Sequence, residues 1–175
     1  MDKVQNRYMF DTNAINRISQ DSYDEMLIYE SKSHGYEYYF TEIQVYESQS
    51  VIEKQTADID SNLVERDRAV YSLNLLRLIS KLQTKYVGQI MTLLPNRSRL
   101  DGTFELLSDG EEESVAMFWK IMNNNDIHYE DAMIALVAIV NGCILVTNDK
   151  RLFNKINSFF PGRAIKYEDF IALLK

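Results

Sequence analysis

Short apolar segments that alternate with helical patterns most constrain the fold of this chain. Five such segments lie at residues 7–10, 36–40, 89–94, 143–146 and 164–167. Most of them are apolar or aromatic almost throughout, which is typical of strands that are covered on both faces. Because helical patterns separate them, the sequence predicts an α/β fold with a parallel sheet of four or five strands flanked by helices.

The helical patterns differ in length along the chain. The longest runs from about Asp60 to Lys85 and carries apolar residues at spacings of three and four. Another, "YEDAMIALVAIVN", leads through Gly142 directly into "CILV", so we expect Gly142 to end that helix. Residues 94–113 contain proline, glycine and charges and are interpreted as a surface loop or small insertion. We therefore expect one domain over residues 1–175, with a long helical middle region around 51–125.

Four acidic residues occur where such a sheet would present a ligand site. Asp11 follows the strand "RYMF", and Asp149 follows "CILVTN". Glu47 lies in the helix after "YEYYF", and Asp131 lies in the first turn of the helix that leads into "CILV". Ligands of open α/β sheets bind beyond the carboxyl ends of the strands, so we expect these four side chains to gather at one edge.

Clustered carboxylates suit one particular chemistry. Mg²⁺ and Mn²⁺ prefer oxygen ligands, and one or two such ions beside a phosphodiester can activate water and stabilise the leaving oxygen. For each acid taken alone, a simpler interpretation stays open. Asp11 and Asp149 can cap helices, Asp131 can complement a helix dipole, and Glu47 can be an ordinary solvated residue.

Composition and charge narrow the class of protein. Apolar residues make up 46% of the chain and charged residues 26%, which is typical of a globular protein. The net charge of −7 argues against a surface that coats nucleic acid, although it does not exclude an enzyme that acts on nucleic acid. The single cysteine, Cys143, cannot form an intrachain disulfide, and no segment resembles a signal peptide or membrane span. We expect a cytoplasmic protein without membrane contact.

Several basic residues are weaker candidates for binding phosphate. Arg97 and Arg99 lie in the loop, and Lys150 and Arg151 directly follow Asp149. Charged residues on the long helix are more simply a solvated face. The two histidines are isolated, and the chain has neither a zinc-site spacing nor a phosphate-binding glycine loop.

The motifs also resemble those of a known family. The matching segments are "YMFDTNAI", "FTEIQVYE", "YEDAMIALVAIVNGCILVTNDKRLF" and "AIKYEDFIALL". With these segments the chain resembles PIN-domain proteins of the VapC-like toxin ribonuclease type. The third segment is the most specific, whereas "DTN" alone would be a weak signal. The middle of the chain, about 51–125, matches poorly.

The resemblance implies a PIN-like (Rossmannoid) three-layer fold and a metal-dependent endoribonuclease. The family's four acids fall on Asp11, Glu47, Asp131 and Asp149, with Glu42 a poorer substitute for Glu47. Asn13 and Thr147 match positions that support the acids through hydrogen bonds. The resemblance implies Mg²⁺ or Mn²⁺ as cofactor, RNA as substrate and a homodimer. It leaves open a role as the toxin of a type II pair, with a small antitoxin protein as partner.

Two other functions are consistent with the same pattern. The first is a non-catalytic PIN-like module that binds RNA or a protein, against which the presence of all four acids argues. The second is a metal-dependent phosphatase of the haloacid-dehalogenase type. That chemistry calls for a second acid two residues after the first, where this chain has Asn13.

Overall fold

The computed structural model describes residues 6–41, 43–44, 77–78, 81, 85–86, 111–122 and 127–175. Its strands are β1 (Arg7–Phe10), β2 (Glu37–Phe40), β3 (Lys85–Tyr86), β4 (Ile144–Thr147) and β5 (Ala164–Lys166). Its helices are α1 (Thr12–Gln20), α2 (Ser22–Ser31), α3 (Glu111–Met122), α4 (Tyr129–Val140), α5 (Lys150–Phe159) and α6 (Tyr167–Leu173), with a short 3₁₀ turn at Lys32–His34. No helix within these ranges is both long and apolar enough to cross a bilayer.

The five strands form one parallel sheet in the order β3-β2-β1-β4-β5. β1 lies at the centre, where Met9 is paired with Tyr39 of β2 and with Leu145 of β4. The α/β fold with a parallel sheet of four or five strands is therefore confirmed. The central strand is buried on both faces, as its nearly continuous apolar sequence indicated.

Some predicted boundaries were wrong in detail. The strand predicted from Tyr36 begins at Glu37, and the one predicted from Cys143 begins at Ile144. Lys85 was assigned to the end of the long helix but belongs to β3, a strand of two residues. The strand predicted at 89–94 and most of the expected helical middle lie outside the described residues. The extent of the domain over 1–175 accordingly stays a prediction.

The side chains of the sheet alternate between two cores. Met9, Tyr39 and Leu145 face the core formed with α3, α4 and α5. Phe10, Phe40 and Val146 face the core formed with α1, α2 and α6. α4 is the most deeply placed helix, since its seven consecutive residues 132–138 are all buried. A helix that is apolar all round fits such a position.

The carboxyl end of α4 is closed as the sequence indicated. Gly142 has a φ of +68°, which other residues rarely adopt, and its N–H donates to the carbonyl of Ile139 at 3.0 Å. The N–H of Cys143 then donates to the carbonyl of Ala138 at 2.8 Å. This turn delivers the chain directly into β4, so the positions of α4 and β4 are fixed together.

A buried amide ties the carboxyl ends of β1 and β2 together. Gln44, which is fully buried, accepts a hydrogen bond from the N–H of Thr41 at 2.5 Å. Its Nε2 donates to the carbonyl of Phe10, the residue that precedes Asp11. Because buried backbone groups are costly to leave unpaired, Gln44 holds the two strand ends in a fixed relation.

Candidate active site

The order in which the chain adds strands to the sheet reverses between β1 and β4. From β1 the chain proceeds outward to β2 and β3, whereas β4 lies on the other side of β1 and continues to β5. α1 follows β1 on one face of the sheet, and α5 follows β4 on the opposite face. The two strand ends therefore open a crevice, which is where open α/β sheets bind ligands.

Asp11 lies at the base of this crevice and is fully buried. Its Oδ1 accepts a hydrogen bond from the N–H of Ala14 at 2.5 Å and so caps α1. Its Oδ2 accepts a hydrogen bond from the hydroxyl of Thr147. The Asp11 N–H donates to the carbonyl of Val146 at 3.0 Å, which extends the contact between the two strands beyond β1.

The pKa of Asp11 is raised to about 6. Burial is the largest cause, and repulsion from Asp131 and Asp149 adds to it. The hydrogen bonds from Thr147 and Ala14 act in the opposite direction but offset this only in part. A fully buried aspartate is rare without a cationic partner, and a helix cap does not require burial. Capping alone thus does not explain the position of Asp11.

Thr147 connects Asp11 with the segment that carries Asp149. The buried hydroxyl of Thr147 donates to Asp11 and accepts a hydrogen bond from the N–H of Asp149 at 2.9 Å. One hydroxyl group therefore joins the carboxylate of Asp11 to the backbone of Asp149, two residues that are far apart in the sequence.

Replacement of Thr147 by valine should test this link. Valine has a similar volume but leaves Asp11 without its hydroxyl donor and the Asp149 N–H without its acceptor. We expect a loss of about 1–3 kcal/mol in the free energy of unfolding, measured by urea denaturation. Thr147→Ser, which keeps the hydroxyl and loses only a methyl group, should cost less. A valine variant as stable as the wild type would show that the bond contributes nothing.

Asp149 caps α5 and uses one carboxylate oxygen to do so. Its Oδ1 accepts hydrogen bonds from the N–H groups of Arg151 at 2.6 Å and Leu152 at 3.1 Å. Within the described part of the chain, Oδ2 accepts none. Asp11 and Asp149 thus do cap helices, as the simpler interpretation held, but Asp149 keeps an oxygen that a ligand can use.

Asp131 lies in the first turn of α4, on the face of the sheet opposite α1. Its pKa is raised, first by burial and then by repulsion from Asp149, while His128 lowers it. Asp149 therefore lies close enough to repel the carboxylate of Asp131, and both Asp131 and Asp149 repel the carboxylate of Asp11. The α4 dipole favours an acid at this position, but it does not account for the proximity of the other two.

The described groups do not complete a metal centre by themselves. Within the described ranges, no three histidine, cysteine, aspartate or glutamate side chains are arranged to hold a metal ion. Glu47 lies outside those ranges, as do Arg97 and Arg99. The four-carboxylate set therefore stays a prediction, of which the structure describes three members.

The remaining candidates lie around the crevice. Asn13 is exposed in the first turn of α1, and no described residue forms a hydrogen bond with its side chain. Lys150 and Arg151 are exposed in the first turn of α5. Thr41, which follows β2, is 1% exposed, and its hydroxyl finds no partner among the described residues.

Two residues at this edge were not singled out from the sequence. Gln44 links the ends of β1 and β2, and Arg17 contacts Asn148 beside Asp149. The only sequence signal for Gln44 was its place three residues before Glu47, and Arg17 occupies an ordinary exposed position of an amphipathic helix.

A parallel α/β sheet whose central strands end in acidic residues defines a class of enzyme-like domains that place ligands at the strand ends. The chain belongs to the PIN domain family, whose model matches residues 8–158. PIN domains are usually nucleases and typically use divalent metal ions. The match covers all four predicted acids but does not by itself identify a toxin.

A solved structure supports the fold. The crystal structure of PAE2754 from Pyrobaculum aerophilum is similar with a TM-score of 0.55 and 20% sequence identity. The similarity covers 96% of this chain and 88% of that chain. At this identity the likeness shows the fold alone. A comparison with curated proteins gave no match.

Proposed function

We propose that this protein is a metal-dependent endoribonuclease that hydrolyses RNA phosphodiester bonds. The observation that carries the proposal is the buried Asp11, which the hydroxyl of Thr147 joins to the Asp149 segment at the crevice between β1 and β4. Such an arrangement is costly for the folded protein, because the carboxylates repel one another and Asp11 is desolvated. A bound cation would remove that cost.

The donor set fits a hard divalent cation. The described groups at the crevice offer carboxylate and hydroxyl oxygens, which Mg²⁺ and Mn²⁺ prefer over sulfur or nitrogen. Asp11, Asp131 and Asp149, together with Glu47, would hold the ion or ions. A divalent ion so held neutralises phosphate charge and lowers the pKa of water, which is the chemistry that hydrolysis of a phosphodiester needs.

The protein's own groups prepare this site. Ala14 and Thr147 hold the two oxygens of Asp11 in place, so that its carboxylate does not need to reorient when a ligand binds. Asp149 is held through one oxygen and presents the other. No cysteine, serine or histidine nucleophile is needed for this reaction, since water is the attacking group.

Cleavage of single-stranded RNA tests the proposal. The wild-type protein should cut RNA in the presence of Mg²⁺ or Mn²⁺ and should lose this activity in EDTA. Activity should return when an excess of either ion is added, because EDTA removes only the cation. Cleavage at an undiminished rate in EDTA would refute the metal dependence, and the absence of cleavage under every condition would refute the enzyme.

A non-catalytic module that binds RNA or protein is the second candidate. It is favoured by one observation, namely that no three metal-binding side chains assemble within the described ranges. Titration with Mn²⁺ separates the two candidates. Binding in the low millimolar range or tighter supports the enzyme, whereas no measurable binding supports the module.

The narrower form of the proposal is a cytoplasmic toxin of a type II pair that acts as a homodimer and is inhibited by a small antitoxin. It is supported by the resemblance of the "TNDKRLF" and "YMFDTNAI" segments to VapC-like proteins. A small gene immediately upstream, whose product binds this protein and blocks cleavage, would support the toxin role. Without such a partner, RNA maturation or turnover is the better assignment.

A further inference from the structure

Arg17 places a guanidinium group at the rim of the crevice. It lies in α1, and its Nη1 donates to Glu168 of α6 at 2.5 Å and to Asn148 at 3.5 Å. Asn148 stands between Thr147 and Asp149 in the sequence, so Arg17 reaches the segment that carries the acids. The guanidinium also lies over the ring of Tyr167, 4.7 Å from its centroid.

The ion pair between Arg17 and Glu168 is too exposed to contribute much to the stability of the folded protein. The side chain of Arg17 is 45% exposed and that of Glu168 is 61% exposed. Ion pairs at such exposure contribute little to the free energy of unfolding, because water and salt screen them. A phosphate group from solution can therefore replace the Glu168 carboxylate at low cost.

The guanidinium of Arg17 also has N–H donors that form no hydrogen bond to a described residue. A guanidinium carries five N–H donors, and the bonds to described residues all leave from Nη1. Stacking on Tyr167 limits the orientation of the group, which lowers the entropy lost when it binds a ligand. Planar guanidinium groups held in this way suit phosphate oxygens, which they bind through two parallel bonds.

Arg17 lies where it could contact an RNA phosphate next to the one that is cleaved. α1 and α6 cover one face of the sheet, and Asp131 lies on α4 at the other face. RNA that lies across the carboxyl edge of the sheet, with one phosphodiester at the acids, would carry its neighbouring phosphates towards α1. The acids repel RNA, so a nearby cation is needed to hold it.

We propose that Arg17 binds an RNA phosphate next to the one that is cleaved, and that Glu168 competes with RNA for the guanidinium. This inference rests on the proposed action on RNA. Arg17 would then be a substrate-binding residue, and Glu168 would lower the affinity for RNA. The two members of one ion pair should consequently have opposite effects on binding.

Fluorescence anisotropy with a short labelled single-stranded RNA tests this in EDTA, where RNA is not cleaved. Arg17→Gln should weaken binding roughly 3- to 10-fold at low salt and reduce the slope of log affinity against log salt by about 0.7. Glu168→Gln should tighten binding by a similar factor. Arg17→Lys, which keeps the charge, should retain the slope of the wild type.

A matched pair at the opposite edge of the sheet controls for net charge. Arg7 and Glu37 form an exposed ion pair of 3.2 Å at the amino ends of β1 and β2. Arg7→Gln and Glu37→Gln change the net charge equally but should shift RNA affinity much less. If the variants of both ion pairs changed RNA affinity equally, the effect would come from net charge alone, and the proposal would be wrong.

Two further outcomes are distinguishable. If Arg17→Gln and Glu168→Gln both weaken binding, the pair acts through structure and Arg17 is not a phosphate ligand. If the wild type binds no RNA in EDTA, the proposal for Arg17 fails, whereas the proposed function is decided separately by cleavage with Mg²⁺ or Mn²⁺. Thermal unfolding of each variant shows whether a change in binding reflects a change in folding.

Discussion

Replacement of Asp149 by asparagine should reduce RNA cleavage roughly 100-fold or more while leaving the fold intact. Asparagine is as good a helix cap as aspartate, so its side-chain oxygen can still accept the bonds from Arg151 and Leu152. What it lacks is the negative charge and the second carboxylate oxygen. The loss of activity would therefore report on cation binding and not on the end of α5.

Asp21 provides a matched control for this substitution. It caps α2 through one oxygen, which accepts hydrogen bonds from Tyr23 at 2.9 Å and Asp24 at 3.2 Å. Asp21→Asn removes one charge at a helix cap that has no hydrogen bond to Asp11, Thr147 or Asp149, and it should leave cleavage nearly unchanged. Rates of cleavage at saturating Mg²⁺ and the unfolding temperature should be measured for both variants. Cleavage that survives in Asp149→Asn would remove Asp149 from the mechanism.

Asp11→Asn should also abolish cleavage but should stabilise the metal-free protein at neutral pH. The pKa of Asp11 rises from an ordinary value of 3.8 to about 6 in the folded state. The folded protein thus binds the proton more tightly than the unfolded chain, and stability falls as the pH rises from about 4 to 6. The full penalty, on the order of 2–3 kcal/mol, applies above that window and is removed by asparagine.

The hydrogen bonds of Asp11 reduce this gain but do not reverse its sign. The asparagine oxygen can still accept from Ala14, whereas its amide group would face the hydroxyl of Thr147. That hydroxyl can turn and accept, since its oxygen has two lone pairs. We therefore expect a net gain on the order of 1–2 kcal/mol at pH 7, measured by urea denaturation in EDTA.

Glu25 supplies a control of opposite sign. Its pKa is lowered, chiefly by the hydrogen bond from Lys81 at 2.6 Å. Its charged form therefore stabilises the folded state at neutral pH, and this contribution is lost as the pH falls below the ordinary value. Glu25→Gln should destabilise the protein at pH 7 and less so in acid. If Asp11→Asn also lost stability at pH 7, the carboxylate would be stabilising and the strain assigned to it would be wrong.

The fold was largely readable from the sequence because its strands are covered on both faces. Such strands show nearly continuous apolar residues, and β1 was predicted with its observed bounds. β3 was missed because two residues carry no periodicity of their own and Lys85 continued the pattern of the preceding helix. Gly142 was predicted correctly because only a positive φ joins α4 to β4 so tightly.

The candidate site was predictable in its positions but not in its contacts. Asp11 and Asp149 were identified because the carboxyl ends of parallel strands meet at one edge. The burial of Asp11, its raised pKa and the bridge through Thr147 depend on packing between distant segments. Gln44 and Arg17 were missed for the same reason, because the role of a polar residue on a helix depends on its tertiary contacts, which the sequence does not show.

The hydrogen bond between Thr147 and Asp11 spans 136 positions of the chain. β1 is synthesised well before its neighbour β4, which begins only at Ile144, so the crevice cannot close until the residues between the two strands have been translated. A nascent or truncated chain would expose one side of its central strand and would present Asp11 without its counterpart. Ribosome-bound fragments that end before β4 should accordingly be inert towards RNA, and activity should emerge only after the segment with β4 and Asp149 has left the ribosome.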